Sequence, residues 1–189
     1  MQKVILLSLY LSFYSLNANC QIDKSNWLIG GNGNFSSLKE YDNLNNKIST
    51  AKYMLLSTNV GYFLFDKLAA GIRLRFSYQK STFPGATYAN SYSEFGVGPF
   101  VRYYYLKKEN LVNIFSEISY QFNFAKSSNS TFKGNQNSLA FLAGPVIFFN
   151  NNISLEFPIG YSITKNQLSN NKINSLQFGV GLQIHLEKN

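Results

Sequence analysis

Leu176-Gln177-Phe178-Gly179-Val180-Gly181-Leu182-Gln183-Ile184-His185-Leu186 is the stretch that decides the fold. In an extended chain its leucines, Phe178, Val180 and Ile184 fall on one side, and Gln177, Gly179, Gly181, Gln183 and His185 on the other. One face is apolar and the other is small and polar. A soluble sheet can show this once. What matters is that the pattern recurs about eight times, separated by connections that alternate long and short, which is the layout of a closed barrel crossing a bacterial outer membrane.

Working back along the chain, the expected strands cover about 26–36, 52–65, 68–79, 92–106, 111–124, 138–149, 153–163 and 176–186. Only Asp66-Lys67 separates the second strand from the third, which predicts a tight hairpin. The connections 107–110 and 150–152 are also short, whereas 38–51, 80–91, 125–137 and 165–172 are longer and polar. The sixth strand is nearly continuous in apolar residues, so its faces stay unassigned. An even strand number puts both termini on the side of the short turns, which in this class is the periplasm.

The first twenty residues differ in kind. Lys3, an apolar run from Val4 to Leu16 and Asn17-Ala18-Asn19-Cys20 read as a secretory signal peptide, since the run is too short to span a bilayer. Cleavage after Cys20 leaves one barrel domain, 21–189, of a length suited to one domain of about 150 residues or more. Acylation of Cys20 is the alternative reading of the same segment. The cut removes the single cysteine, so no disulfide framework and no thiol chemistry are expected. It also removes Lys3 and leaves 16 basic against 9 acidic residues. A basic chain invites nucleic acid, but an exported one is not expected to meet it.

A lipocalin-like soluble barrel would turn the apolar face inward and need a charged exterior. The polar face here is Gly, Ser, Asn and Gln with almost no lysine, and it carries all three arginines, Arg73, Arg75 and Arg102. That sorting fits a narrow lumen in which arginine meets carboxylate. Counted from the short turns, Arg73, Arg102, Glu117 and Glu156 lie ~13–20 Å above the periplasmic edge. They are expected to form a buried ion-pair cluster, with Arg75 and Glu94 as a higher tier. Such a cluster fills an eight-stranded interior; an ion path opened by switching pairs is the functional alternative.

At the other end, Lys39, Lys47, Lys52, Lys80, Lys126, Lys133, Lys165 and Lys172 face only Glu40 and Asp42. This outer rim is expected to attract the phosphates of lipopolysaccharide, or to be ordinary solvated loop. Aromatics, 16% of the chain, cluster near both expected interfaces, as girdles do, although strand propensity favours them too.

Chemistry is sparse. The single His185 lies near the end of the last strand, without a marked serine and acid beside it. No metal-ligand cluster and no phosphate-cradling glycine loop before a helix appears, so neither cofactor nor metal is expected.

Val60-Gly61-Tyr62-Phe63, then Asp66-Lys67-Leu68-Ala69-Ala70-Gly71, then Gly96-Val97-Gly98-Pro99-Phe100-Val101-Arg102-Tyr103-Tyr104 resemble the small outer-membrane β-barrel domains grouped as OmpA-like and OmpX-like. Gly181 to Leu186 is similar to the C-terminal signal read by the barrel assembly machinery, but it lacks a terminal aromatic and runs on through Glu187-Lys188-Asn189. The resemblance implies an all-β, eight-stranded, antiparallel, up-and-down transmembrane barrel, monomeric, bathed in outer-membrane lipid and lipopolysaccharide, with no catalytic residues to carry over. The functional expectation is a non-enzymatic structural or surface-interaction protein of the envelope. A narrow pore is the alternative, followed by a lipid A-modifying enzyme.

Overall fold

The computed structural model describes residues 22–41, 47–84, 89–128, 133–167 and 171–187; the expected signal peptide lies outside them. All regular structure among these described residues is β: β1 (Trp27–Tyr41), β2 (Lys47–Phe65), β3 (Leu68–Thr82), β4 (Asn90–Tyr104), β5 (Val112–Ser127), β6 (Lys133–Phe148), β7 (Ile153–Glu156), β8 (Ile159–Asn166), β9 (Lys172–Phe178) and β10 (Gly181–Leu186). Every pairing is antiparallel between neighbours. β7 with β8 forms the seventh stave and β9 with β10 the eighth, so the chain is an eight-stranded barrel.

Closure comes from β1 pairing with β10, Trp27 opposite Leu186 through Asn32 opposite Gly181. The side-chain alternation makes this wall amphipathic. On β5, Asn113, Phe115, Glu117, Ser119, Gln121 and Asn123 are buried, while Ile114, Ile118, Tyr120, Phe122 and Phe124 point out and are exposed. The same holds on β3, where Ile72, Leu74 and Phe76 are exposed and alternate with inward Arg73 and Arg75. From Leu68 to Tyr78 the outward side of β3 stays apolar, and eleven residues at the tilt of about 40° usual in such barrels rise ~27 Å, the height of their apolar band. An outer surface of this kind is stable in hydrocarbon and not in water. Strands suit this position because, along the paired stretches, backbone donors and acceptors are met by the neighbouring strand.

Three features depart from the sequence reading. First, strands overrun the apolar band. β1 and β2 pair up to Tyr41 and Lys47, and β5 and β6 up to Lys126 and Lys133, so the rim lysines sit on strand ends that project beyond the band and not in loops. Pairing continues there because backbone hydrogen bonds do not depend on what the side chains face. Second, β6 gains faces. Ser138, Val146 and Phe148 are buried inside, while Phe141 and Pro145 lie outside, because the inner face at the turn end is apolar too. Third, the last two staves are broken. Pro158 has no N–H for the ladder, and strand pairing lapses at Phe157-Pro158 and again at Gly179-Val180 beside it. Phe157 N–H donates to the Pro145 carbonyl and Gly179 N–H to the Pro158 carbonyl, both at 3.0 Å, so the break is bridged but not zipped.

The lower halves of these staves close the barrel, β10 against both β1 and β7. The upper halves lean together as a hairpin, β8 against β6 and β9. No pairing joins β9 to the upper part of β1.

Candidate functional site

The interior is divided into a solid floor and an open cup. At the turn end, Leu28, Phe63, Phe100, Tyr104, Phe115, Val146 and Phe148 are buried inside the lumen. The segment before β1 folds underneath and seals them. Ile22 is buried, its carbonyl accepts from Lys67 N–H at 2.8 Å, and Ser25 N–H donates to the Phe63 carbonyl at 2.8 Å. Below it, on the outside, Lys108 donates to the Asp23 carboxylate at 2.8 Å, which holds that exposed ammonium above its usual range.

Directly above this plug lies a charged layer. Arg102 and Glu117 face each other across the β4–β5 ladder, and Glu117 Oε2 accepts from Arg102 Nε at 2.9 Å and lies 2.8 Å from its Nη2. Glu117 also takes Arg73, whose Nη2 donates to Oε2 at 2.9 Å. Arg73 starts from β3 and must pass over β4 to reach β5. It can do so because its register partner on β4 is Gly98, which has no side chain in the way. Arg102 reaches across the lumen with Nη1 to Glu156 at the end of β7 and donates to Tyr104 Oη at 3.2 Å. Gln183 completes the layer, donating to Glu156 Oε2 at 3.1 Å and accepting from Asn59 at 3.0 Å. Two guanidinium groups thus meet two carboxylates, a balance that a low-dielectric interior requires. The guanidiniums also rest on rings: Arg102 lies 4.4 Å from the Phe115 centroid and Arg73 5.6 Å from Phe100.

His185 belongs to this floor. It is fully buried among Phe63, Tyr104 and Phe148, with Tyr104 Oη 3.4 Å from its Nε2. Among the described residues no carboxylate is hydrogen-bonded to it, so it is packed as a ring and not arranged as a base. Sequence spacing gave no sign that Tyr104, Gln183 and Asn59 would join the ion layer. Their inward parity was the only available signal.

Arg75 and Glu94 stand higher. No ion pair joins them. The register sets Arg75 opposite Gly96 and Glu94 opposite Ser77, a diagonal offset, and the Glu94 carboxylate accepts instead from Tyr92 Oη on its own strand at 3.2 Å. Both side chains line a cavity of about 980 Å³ that fills the outer half of the lumen. Its other walls are mostly neutral, including Ser57, Gln121, Ser138, Ser162, Thr164 and Gln177, with Leu55, Leu142 and Ile173 among them. By contrast, the space at the level of the ion layer is about 10 Å³, room for roughly one water. Among the described residues no group of three His, Cys, Asp or Glu side chains is placed to hold a metal.

The rim lysines fall into register pairs. Lys52 is directly opposite Lys80, Lys126 opposite Lys133, and Lys165 opposite Lys172. Lys39 and Lys47 are exposed near the end of the β1–β2 hairpin. Like charges directly across a ladder repel, and among the described side chains, which do not include that of Lys133, no carboxylate forms an ion pair with these lysines.

No protein-family model and no curated protein matches the sequence. Solved structures do match the fold. Neisserial surface protein A aligns over 84% of this chain and 94% of its own at 16% identity, with a TM-score of 0.51. The outer-membrane protein OprG from Pseudomonas aeruginosa aligns over 90% of this chain and all of its own at 12% identity, with a TM-score of 0.59. The outward apolar belt, the polar lumen and these two alignments agree: the chain has the fold of the small eight-stranded outer-membrane barrels.

Proposed function

We propose that this chain is an integral outer-membrane protein with a structural or surface-interaction role in the envelope and no catalytic activity. Its cup opens to the cell exterior, and its ends lie on the periplasmic side. The orientation rests on the connections: the short turns lie at the sealed end, and in this class short turns face the periplasm. Lipid of the outer membrane and lipopolysaccharide surround it, the barrel assembly machinery inserts it, and it works as a monomer.

The observation that carries this reading is the sealed floor. The ion layer, with about 10 Å³ of free space at its level, and the apolar plug below it stand between the 980 Å³ cup and the turn end. A narrow pore is correspondingly disfavoured, since the three ion pairs of the layer would have to separate and the plug would have to leave. The test is a planar-bilayer recording of the refolded protein, which is expected to show no unitary steps above baseline. A thiol placed in the cup by Ser162→Cys is expected to react with an impermeant maleimide in intact cells, whereas one placed in the floor by Asn113→Cys is not. Stable single-channel steps, or equal labelling at both positions, would overturn the proposal.

A further inference from the structure

Above the Asn32–Gly181 pair the barrel wall has a side slit. β1 continues from Gly33 to Tyr41 with a partner only on its β2 edge, and β9 pairs only with β8. A methyl group added at Gly33 would meet Leu55 and Leu56 of β2 and nothing of β9. The apolar residues on the banks of the slit are unusually bare. Phe35 on β1 is 70% exposed, and Leu176 and Phe178 on β9 are 65% and 70% exposed. Leu176, Phe178 and Val180 also border the cup, so the cavity reaches this bank of the slit.

Backbone edges that face hydrocarbon unpaired are strongly unfavourable. The slit must therefore open toward something that tolerates them: a wet cup behind, and a molecule with an apolar tail in front. At its outer end stand cations. Lys172 opens β9 directly opposite Lys165 on β8, Lys39 is exposed near the end of β1 on the other bank, and no carboxylate offsets any of the three among the described residues. Continuing the seam's register would bring Tyr41 opposite Lys172, so both banks end at the same level. Repulsion within the opposed pair is relieved by an anion held between them.

We propose that this slit is a binding site for a phosphate-bearing acyl amphiphile of the outer leaflet. An acyl chain lies between Phe35 and Leu176-Phe178, and the phosphate rests on Lys39, Lys165 and Lys172. The inference depends on the outer-membrane reading above and adds to it a ligand class and a place.

The test uses bromine quenching. The mature chain is refolded into phosphatidylcholine vesicles holding a minority of brominated-acyl phosphatidic acid. The chain's single tryptophan is removed by Trp27→Phe and a new one placed either at the slit, Leu176→Trp, or on closed wall, Phe141→Trp. These positions share one row of register through Tyr161. The slit reporter is expected to be quenched far more than the wall reporter. Adding Lys39→Gln, Lys165→Gln and Lys172→Gln is expected to abolish the excess, each lysine being worth about fivefold in local enrichment. Equal quenching at both sites overturns the proposal. So does an excess that survives the lysine changes or appears equally with brominated phosphatidylcholine, since the slit would then take any chain without reading its phosphate. Vesicle insertion is read separately by SDS mobility of unheated samples. Failure there counts against the membrane reading, and failure of quenching in inserted protein counts against the slit.

Discussion

Glu117→Ala is expected to lower the stability of the folded barrel by about 3–5 kcal/mol, because it strands two buried guanidinium groups where one carboxylate held both. Arg73 loses its ion-pair partner, and Arg102 retains only Glu156. The net charge of the floor passes from zero to +1 in a layer with room for about one water, so hydration cannot make up the loss. The measurement is urea unfolding in lipid vesicles followed by tryptophan emission. Combining Glu117→Ala with Arg102→Ala restores neutrality, with Arg73 and Glu156 left over. The double variant is therefore expected to lose much less than the sum of the two single losses. Additive losses would mean that the layer is not a coupled unit.

Gly98→Val is expected to be more severe and to prevent formation of the folded barrel. A Cβ at this position would lie 1.8 Å from the Tyr120 carbonyl oxygen and 2.8 Å from Gln121 Cα, both backbone atoms of β5 that cannot rotate away. The β4–β5 ladder already lapses between Val97–Phe122 and Phe100–Ser119, which is where the two strands crowd. A valine there must push the strands apart and also block the path of Arg73 toward Glu117. Overpacking of this kind costs about 1–3 kcal/mol in a yielding core and more where backbone is the obstacle. Loss of the compact unheated band in SDS is the expected readout. A normally folded Gly98→Val protein would mean that β4 and β5 do not crowd at Gly98 and Tyr120. Gly179→Ala serves as a contrast. Its added methyl meets Pro158 Cγ at 3.4 Å and Asn32 Nδ2 at 3.9 Å, ordinary contacts, and the barrel should fold.

The architecture was legible because lumen and lipid ask for opposite residues, and a strand alternates between them with every step. Asn113 to Phe124 shows the two sets side by side, and Asp66-Lys67 fixes a turn between two such runs. The heights of Arg73, Arg102, Glu117 and Glu156 could be counted from the turns because rise per residue is nearly constant. What counting cannot supply is direction across the lumen. Arg75 and Glu94 fall close in height and on neighbouring strands, yet Tyr92 on the same strand reaches the carboxylate first. The strand ends were misplaced for a related reason. Polarity marks where the apolar belt stops, whereas pairing stops only where the backbone turns, so Lys39, Lys80 and Lys126 read as loop residues and are strand residues.

The slit was hidden by the very regularity that revealed the barrel. Leu176 to Leu186 alternates without interruption, and nothing in that pattern says that Gly179-Val180 leaves the ladder. Pro158 was the available signal, a residue without an N–H in the middle of a strand pattern. It shows that the ladder must yield, but not which seam parts above it. The buried position of Ile22 was equally out of reach, since a single apolar residue before the first strand has no period to read.

The apolar face of the closed barrel points outward, toward lipid. Mobility in SDS of the outer-membrane fraction, unheated against boiled, tests this. A barrel whose eighth stave pairs with its first should resist SDS, run compactly when unheated and shift on boiling. Recovery of the protein in the soluble periplasm, with one mobility in both lanes, would contradict it.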